Sequence, residues 1–232
     1  MPSNVRSGTR PHSFSSTRLG CDASDWSTVL QHLPNNIGTL AFEFRGHGQS
    51  SVPDEDFEFS DLSADIHLAL EILNVSRPIV VGHSLGGMVG IELTTRRQLS
   101  GLILLEGWTS LATVKAAFDP TTQFGTLNPV QIRSIESNRD QTLARFGGDQ
   151  WRGFWHTVQN FDGYAQLELL DIPVYEVFRS TAREPSETRE KLRIPDTPAI
   201  TMEWVDGAGH YLPHEVPSLV ADLCKRMHQS IG

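Results

Sequence analysis

The run PIVV at 78–81 is apolar and β-branched, the run MVGIELTT at 88–95 is helix-forming, and Gly82-His83-Ser84-Leu85-Gly86-Gly87 joins them. A chain that passes from a buried strand into a helix over so few residues must turn sharply. A serine flanked by glycines makes that turn because the missing side chains would otherwise collide. A G-x-S-x-G string is common by itself. At a strand-to-helix junction it forces the serine into a strained backbone that lifts its hydroxyl above the sheet edge. The helix also aims its N-terminal amides at that place. Ser84 is therefore the candidate nucleophile, and the Leu85 N–H is one candidate oxyanion donor.

The rest of the chain is built in the same rhythm. WSTVLQHL at 26–33 reads as a helix closed by Pro34, and IGTLAFEF at 37–44 as a strand ending in the turn Arg45-Gly46-His47-Gly48. Residues 60–73 place Leu62, Ile66, Ala69, Leu70 and Leu73 at helical spacing, with Ser60 expected as the N-cap. Helix is expected over 85–97 and strand over 101–106, GLILLE. Strand signals return at PVYEVF (173–178) and AITMEWV (199–205), and a helix over about 215–227 closes the chain. Strands separated by helices predict an α/β fold, a mostly parallel sheet with helices on both faces. Between them, SLATVKAAF, PVQIRSIESNRDQTLARF and DQWRGFWHTVQNF are helical, so 107–170 reads as a helical cap inserted between two core strands.

Composition narrows the class. The 232 residues carry a formal net charge of −9, with no basic stripe, which argues against nucleic acid as a partner. No apolar run approaches the ~18 residues of a membrane span, and the start lacks an apolar signal core. Two cysteines, Cys21 and Cys224, allow no disulfide framework or zinc knuckle and fit a reduced cytoplasmic protein. Residues 1–18, rich in Ser and Arg and broken by Pro2 and Pro11, are expected as a poorly ordered or divergent terminus; FSS at 14–16 is a poor strand. The oligomeric state is not legible.

Three segments together carry a resemblance. PIVVGHSLGGMVGIEL resembles the nucleophile region of the α/β-hydrolase fold superfamily. FEFRGHGQSS is similar to the turn after that fold's fourth strand, with Glu43 where Asp is usual. VDGAGHYLPHEVP resembles the loop bearing its catalytic histidine. The resemblance runs from about residue 19 to the end and implies a hydrolase domain over 19–232, N-terminally abbreviated because the early hairpin strands are not recognisable. It departs at the oxyanion loop: LGCDASDW matches, but Thr17-Arg18 stand where His-Gly is usual. The second oxyanion N–H is then expected near Leu19 or Gly20.

His210, after the last strand and the small-residue loop Gly207-Ala208-Gly209, lies on the same sheet edge as Ser84 and is the expected base. His210 and His214 form an H-x3-H pair, but Pro213 interrupts it, no third ligand is evident, and no metal or cofactor is expected. The family usually places its acid beyond the strand read here as PVYEVF, where Arg179 to Arg183 offer none and Glu184 comes late. Glu106, ending GLILLE beside the elbow strand, is the favoured acid. Certain fungal lactone hydrolases and some haloalkane dehalogenases place it there, and the order Ser84, Glu106, His210 fits the fold. Glu184 stays open.

A serine activated by histidine attacks acyl carbon, and a serine excludes dehalogenase chemistry that needs a carboxylate nucleophile. The expected substrate is a small hydrophobic ester or lactone, in a pocket lined by Trp108, Trp151, Trp155 and His83. Two other readings stand: an impaired hydrolase-fold protein that binds a ligand, and acyl transfer or elimination on the same triad.

Overall fold

A computed structural model describes residues 5–6, 11–16, 22–113, 119, 121–180 and 189–231. In chain order the elements are β1 (Val5–Arg6), β2 (Pro11–Ser16), a 3-10 turn (Ala23–Trp26), α1 (Ser27–Gln31), β3 (Gly38–Phe42), α2 (Phe59–Ile72), β4 (Ile79–His83), α3 (Leu85–Leu93) and β5 (Gly101–Leu105). After a second 3-10 turn (Leu111–Thr113) come α4 (Pro129–Leu143), α5 (Gly148–Gln159), α6 (Tyr164–Glu168), β6 (Val174–Arg179), β7 (Ile200–Val205), α7 (Leu212–Glu215) and α8 (Pro217–Ile231).

The strands form one sheet in the order β1-β3-β2-β4-β5-β6-β7. Only the β1–β3 pair is antiparallel; the others run parallel. The sequence order reverses around β2, which lies between β3 and β4. In open parallel sheets such a switch point opens a crevice beyond the strand ends, where ligands bind. The sheet separates two apolar layers. Leu62, Ile66 and Leu70 of α2 and Met88 of α3 pack on one face; Val29 of α1 and Val220, Leu223 and Cys224 of α8 pack on the other. Strands β3, β4 and β5 are buried along their whole length, so their near-continuous apolar runs follow from being covered on both sides.

Two expectations are corrected. FSS does form strand: Ser13, Phe14, Ser15 and Ser16 pair with Ile79 to Gly82 on one side, and Phe14 to Ser16 with Leu40 to Phe42 on the other. A strand seated between two apolar neighbours draws its stability from the paired backbone, so its own weak β-propensity decides little. An early antiparallel strand is also present, two residues long. Ser60 is not the cap of α2. Glu58 is: it caps through a reciprocal box with Asp61, whose carboxylate accepts from the Glu58 N–H at 2.8 Å. Of SLATVKAAF, residues 111–113 form a 3-10 turn and 114–118 lie outside the described residues.

Helices α4, α5 and α6 lie between β5 and β6, and α5 is docked on the loop between β3 and α2. Phe154 of α5 packs against Phe57 with ring centroids 4.8 Å apart, and Phe146, in the turn before α5, packs against it at 5.9 Å. The Phe59 N–H donates to Thr157 at 2.8 Å, and Arg145 donates to the Gly48 and Ser50 carbonyls, each at 2.7 Å. His47 lies in this junction, edge-on to Phe44 and Phe146, its Nδ1–H donating to the Arg45 carbonyl at 3.0 Å.

Burial pushes His47 from its ordinary 6.5 down to about 4, the Arg45 carbonyl opposing the shift and Arg145 adding to it. Neutral His47 thus contributes its full stability above about pH 6.5. As pH falls toward about 4, the unfolded chain takes up a proton that the folded one refuses, and stability drops by an amount on the order of 3 kcal/mol. His47→Phe should flatten the pH dependence of urea-unfolding free energy in that window by up to about 1.4 kcal/mol per pH unit. An unchanged slope would mean that His47 does not titrate this way.

Candidate active site

Ser84 is the last residue before α3, with φ 56° and ψ −121°, a left-handed conformation that a non-glycine residue holds only under constraint. The Ser84 N–H donates to the Leu105 carbonyl at 3.0 Å, and its own carbonyl accepts from the Gly87 N–H at 2.9 Å. The flanking glycines are sterically required. A Cβ on Gly82 would lie 2.2 Å from the Gly86 carbonyl oxygen, and one on Gly87 would lie 2.5 Å from the Gly107 Cα. The first turn of α3 is thereby pressed backbone to backbone against the exit of β5. The Leu85 N–H opens the helix, where no preceding turn offers it a carbonyl.

Glu106 directly follows β5, also at positive φ (46°), and its side chain has no solvent exposure. Its N–H donates to the Val177 carbonyl at 2.8 Å, fixing it across the β5–β6 step. Oε1 accepts from the Arg179 backbone N–H at 2.8 Å, and Oε2 lies 3.4 Å from Nδ1 of His210. The Arg179 Nε stands 3.9 Å from that same Oε2.

The backbone of His210 is held on every side. Its N–H donates to the Gln123 carbonyl at 2.7 Å, and its carbonyl accepts from Nε2 of His83 at 2.6 Å. Glu215 brackets it: Oε2 accepts from the Gly209 N–H (2.8 Å) and Oε1 from the Tyr211 N–H (3.2 Å). The same Oε2 accepts from the Thr126 N–H at 2.9 Å, so one carboxylate ties the histidine loop to the 121–127 turn. Trp108 stacks on the His210 imidazole, ring centroids 5.4 Å apart and planes 10° from parallel. An indole face so placed favours a cationic imidazole.

The residues expected to line a pocket divide in two. Trp108 and His83 are first of all partners of His210, one through its ring and the other through its carbonyl. Trp151 and Trp155 stack on each other at 6.1 Å, and Trp151 packs on Phe146 and Phe154 in the junction of α5 with the core. Leu19 and Gly20, the expected second oxyanion donors, and Glu184, the alternative acid, lie outside the described residues. The loop that follows Gly20 is fastened by Glu43, whose Oε1 accepts from Ala23 N–H (3.1 Å) and Oε2 from Gln49 N–H (2.8 Å). His214 donates to Asp25 at 2.8 Å, and among the described residues no group of three or more His, Cys, Asp or Glu could hold a metal ion. An apolar cleft of about 490 Å³ between β3 and α2, floored by Phe42, Leu62 and Ile66, is not lined by Ser84, Glu106 or His210. Sequence reasoning missed Arg179, Glu215 and Gln123. Glu215 ends α7, four residues after Tyr211, and its carboxylate reaches back to the amides that precede that helix.

This strand order, with a strained serine between β4 and α3 and a histidine loop after the last strand, defines an α/β-hydrolase fold. The sequence model of the alpha/beta hydrolase family matches residues 12–223, and the chain belongs to that family. The chain is 33% identical over 106 residues to RutD, a proposed carbamate hydrolase of Cronobacter turicensis; the match spans 44% of this chain but only 39% of that relative. Two solved structures share the fold across nearly the whole chain. One is Est816, described as an N-acyl homoserine lactone degrading enzyme (TM-score 0.75, 17% identity, 96% of this chain and 95% of that one). The other is the enol-lactonase of Burkholderia xenovorans (TM-score 0.72, 18% identity, 96% and 92%).

Glu215→Ala leaves three N–H groups around His210 without their acceptor. A loss of about 1–3 kcal/mol in urea-unfolding free energy is expected, with Glu215→Gln, which keeps one acceptor oxygen, losing less. Equal losses in the two variants would show that the bracket is not what matters.

Proposed function

We propose that this chain is a serine hydrolase of small hydrophobic esters or lactones, acting through an acyl-enzyme. The observation that carries this reading is Ser84, held at positive φ on the sheet edge where Glu106 and His210 meet. In the proposed reaction the Ser84 hydroxyl attacks the acyl carbon while His210 Nε2 takes its proton, and Glu106 receives the opposite ring N–H as the imidazolium forms. The carbonyl oxygen becomes an oxyanion that accepts hydrogen bonds from the Leu85 N–H and from a second N–H near Leu19 or Gly20. His210 returns the proton to the leaving alkoxide as the carbon–oxygen bond breaks, leaving Ser84 acylated. Water, deprotonated by His210, then attacks the ester and frees the acid and the serine.

A helical cap over 107–170, rich in aromatic residues, would cover the site and favour an apolar substrate. The lactone chemistry in the names of Est816 and the enol-lactonase is consistent with this class, as is the carbonyl target in the name of RutD. The scheme needs neither metal nor cofactor. With two cysteines in the sequence and Cys224 a buried free thiol, no disulfide framework is built, and the cytoplasm is the proposed location. Among the described residues no helix is long and apolar enough to cross a membrane.

A fluorophosphonate probe tests the reading. Wild type should label, Ser84→Ala should not, and Glu106→Gln should label roughly 10²–10⁴-fold more slowly. Hydrolysis of p-nitrophenyl butyrate and of a γ-lactone should fall in parallel. A folded wild type that neither labels nor hydrolyses would instead be a ligand-binding member of the family.

A further inference from the structure

Arg179 ends β6, where the resemblance placed the search for an acid, and it puts a guanidinium there instead. Its side chain has no solvent exposure. Its backbone N–H donates to Oε1 of Glu106 at 2.8 Å, its Nε stands 3.9 Å from Oε2, and its Nη1 donates to the Thr122 carbonyl at 2.9 Å. Thr122 adjoins Gln123, whose carbonyl receives the His210 N–H. One residue thus touches the candidate acid twice and reaches the strand of chain that fixes the candidate base.

Building on the serine-hydrolase reading, we infer that Arg179 is a positioning residue that keeps the buried Glu106 carboxylate ionised and aimed at His210. A carboxylate without access to water favours its neutral form, and a cation within about 4–6 Å reverses that preference. His210 cannot serve as that cation throughout, because it must be neutral to accept the serine proton. Arg179 is charged at every stage of the cycle and leaves Glu106 ionised when His210 is neutral. Its own orientation is set by the Thr122 carbonyl, so the charge stays beside the carboxylate while the ring alternates between states.

Among the described residues, the following charged and titratable groups surround the pair. His210 faces Glu106 from the histidine loop, and His83 of β4 lies behind it with ring centroids 4.9 Å apart. Asp119 lies toward Arg179 from the 121–127 side; its carboxyl is held below the usual range chiefly by Thr121, with Arg179 a lesser cause. Glu176, also buried, sits on β6 itself, where strand alternation turns it to the opposite face from Arg179.

The test is the pH dependence of fluorophosphonate labelling and of ester hydrolysis in Arg179→Met and Arg179→Lys, beside urea unfolding of Arg179→Met, Glu106→Gln and the double variant. Arg179→Met should move the acid limb of both rates up by about one pH unit or more. Both consequences of losing the cation, an easier proton on Glu106 and an easier proton on His210, act in that direction. Arg179→Lys should restore the limb to near its wild-type place. In unfolding, the loss caused by Arg179→Met should largely vanish when Glu106 is already Gln, because the buried charge that needed a partner is gone. A folded Arg179→Met with an unmoved acid limb, or losses that simply add, overturns the inference. If Arg179→Met alone does not fold, rescue by Glu106→Gln supports the pairing and failure to rescue overturns it. A wild type that never labels would sink the hydrolase reading, while the unfolding comparison would still decide on the pair.

Discussion

A carboxylate sealed from water has to be surrounded by donors, and Glu106 shows what that demand does to a fold. Its oxygens face the backbone N–H of Arg179, the imidazole of His210 and the guanidinium of Arg179. The partners come from two stretches of chain, β6 and the loop after β7, and the carbonyls of Thr122 and Gln123 tie both to the turn that leads into α4. Displacing any one of them would strand a buried charge, at a cost larger than most single contacts contribute. The ends of β4, β5 and β6 are consequently tied to one another. The glycine contact between Gly87 and Gly107 brings the serine turn into the same rigid unit.

The parallel sheet was legible because apolar runs such as IVV, LILL and VYEVF need cover on both faces, and the spacing between them leaves room for helices. The strand at FSS was not legible. Its evidence lies in the neighbours Leu40 and Val80, not in its own composition. Glu58 was hidden for a related reason: a glutamate caps a helix less often than a serine, and Ser60 stood two residues away to attract the assignment. At the site, the sequence offered residue types and strand ends, which suffice to bring Ser84, Glu106 and His210 to one edge. It could not show that Trp108 and His83 lie against His210, since both contacts depend on side-chain directions after a turn. Arg179 was the least readable of all: an arginine after a strand looks like a solvated surface residue until its burial is known.

The helices between β5 and β6 are attached to the core in two distinct ways. On the side of α5 a stack of Phe57, Phe146, Phe154 and Trp151 is joined by hydrogen bonds of Arg145, Gln150 and Thr157 to the loop between β3 and α2 and to the start of α2. At the entry turn the attachment is polar and directional, through Glu215, the His210 N–H and Arg179. A motion that opened the entry turn would also release His210, so access and readiness cannot be separated there.

The bonds that hold His210 join residues far apart along the chain: Glu106 is 104 positions away, His83 127, and the Glu215–Thr126 link spans 89. Such contacts close long loops and form only after the intervening segments have compacted. The sheet can assemble from neighbouring βα units well before the histidine loop finds its place. Competence therefore waits on the histidine loop, whose bracket at Glu215 closes only once the strands and turns it reaches are in place.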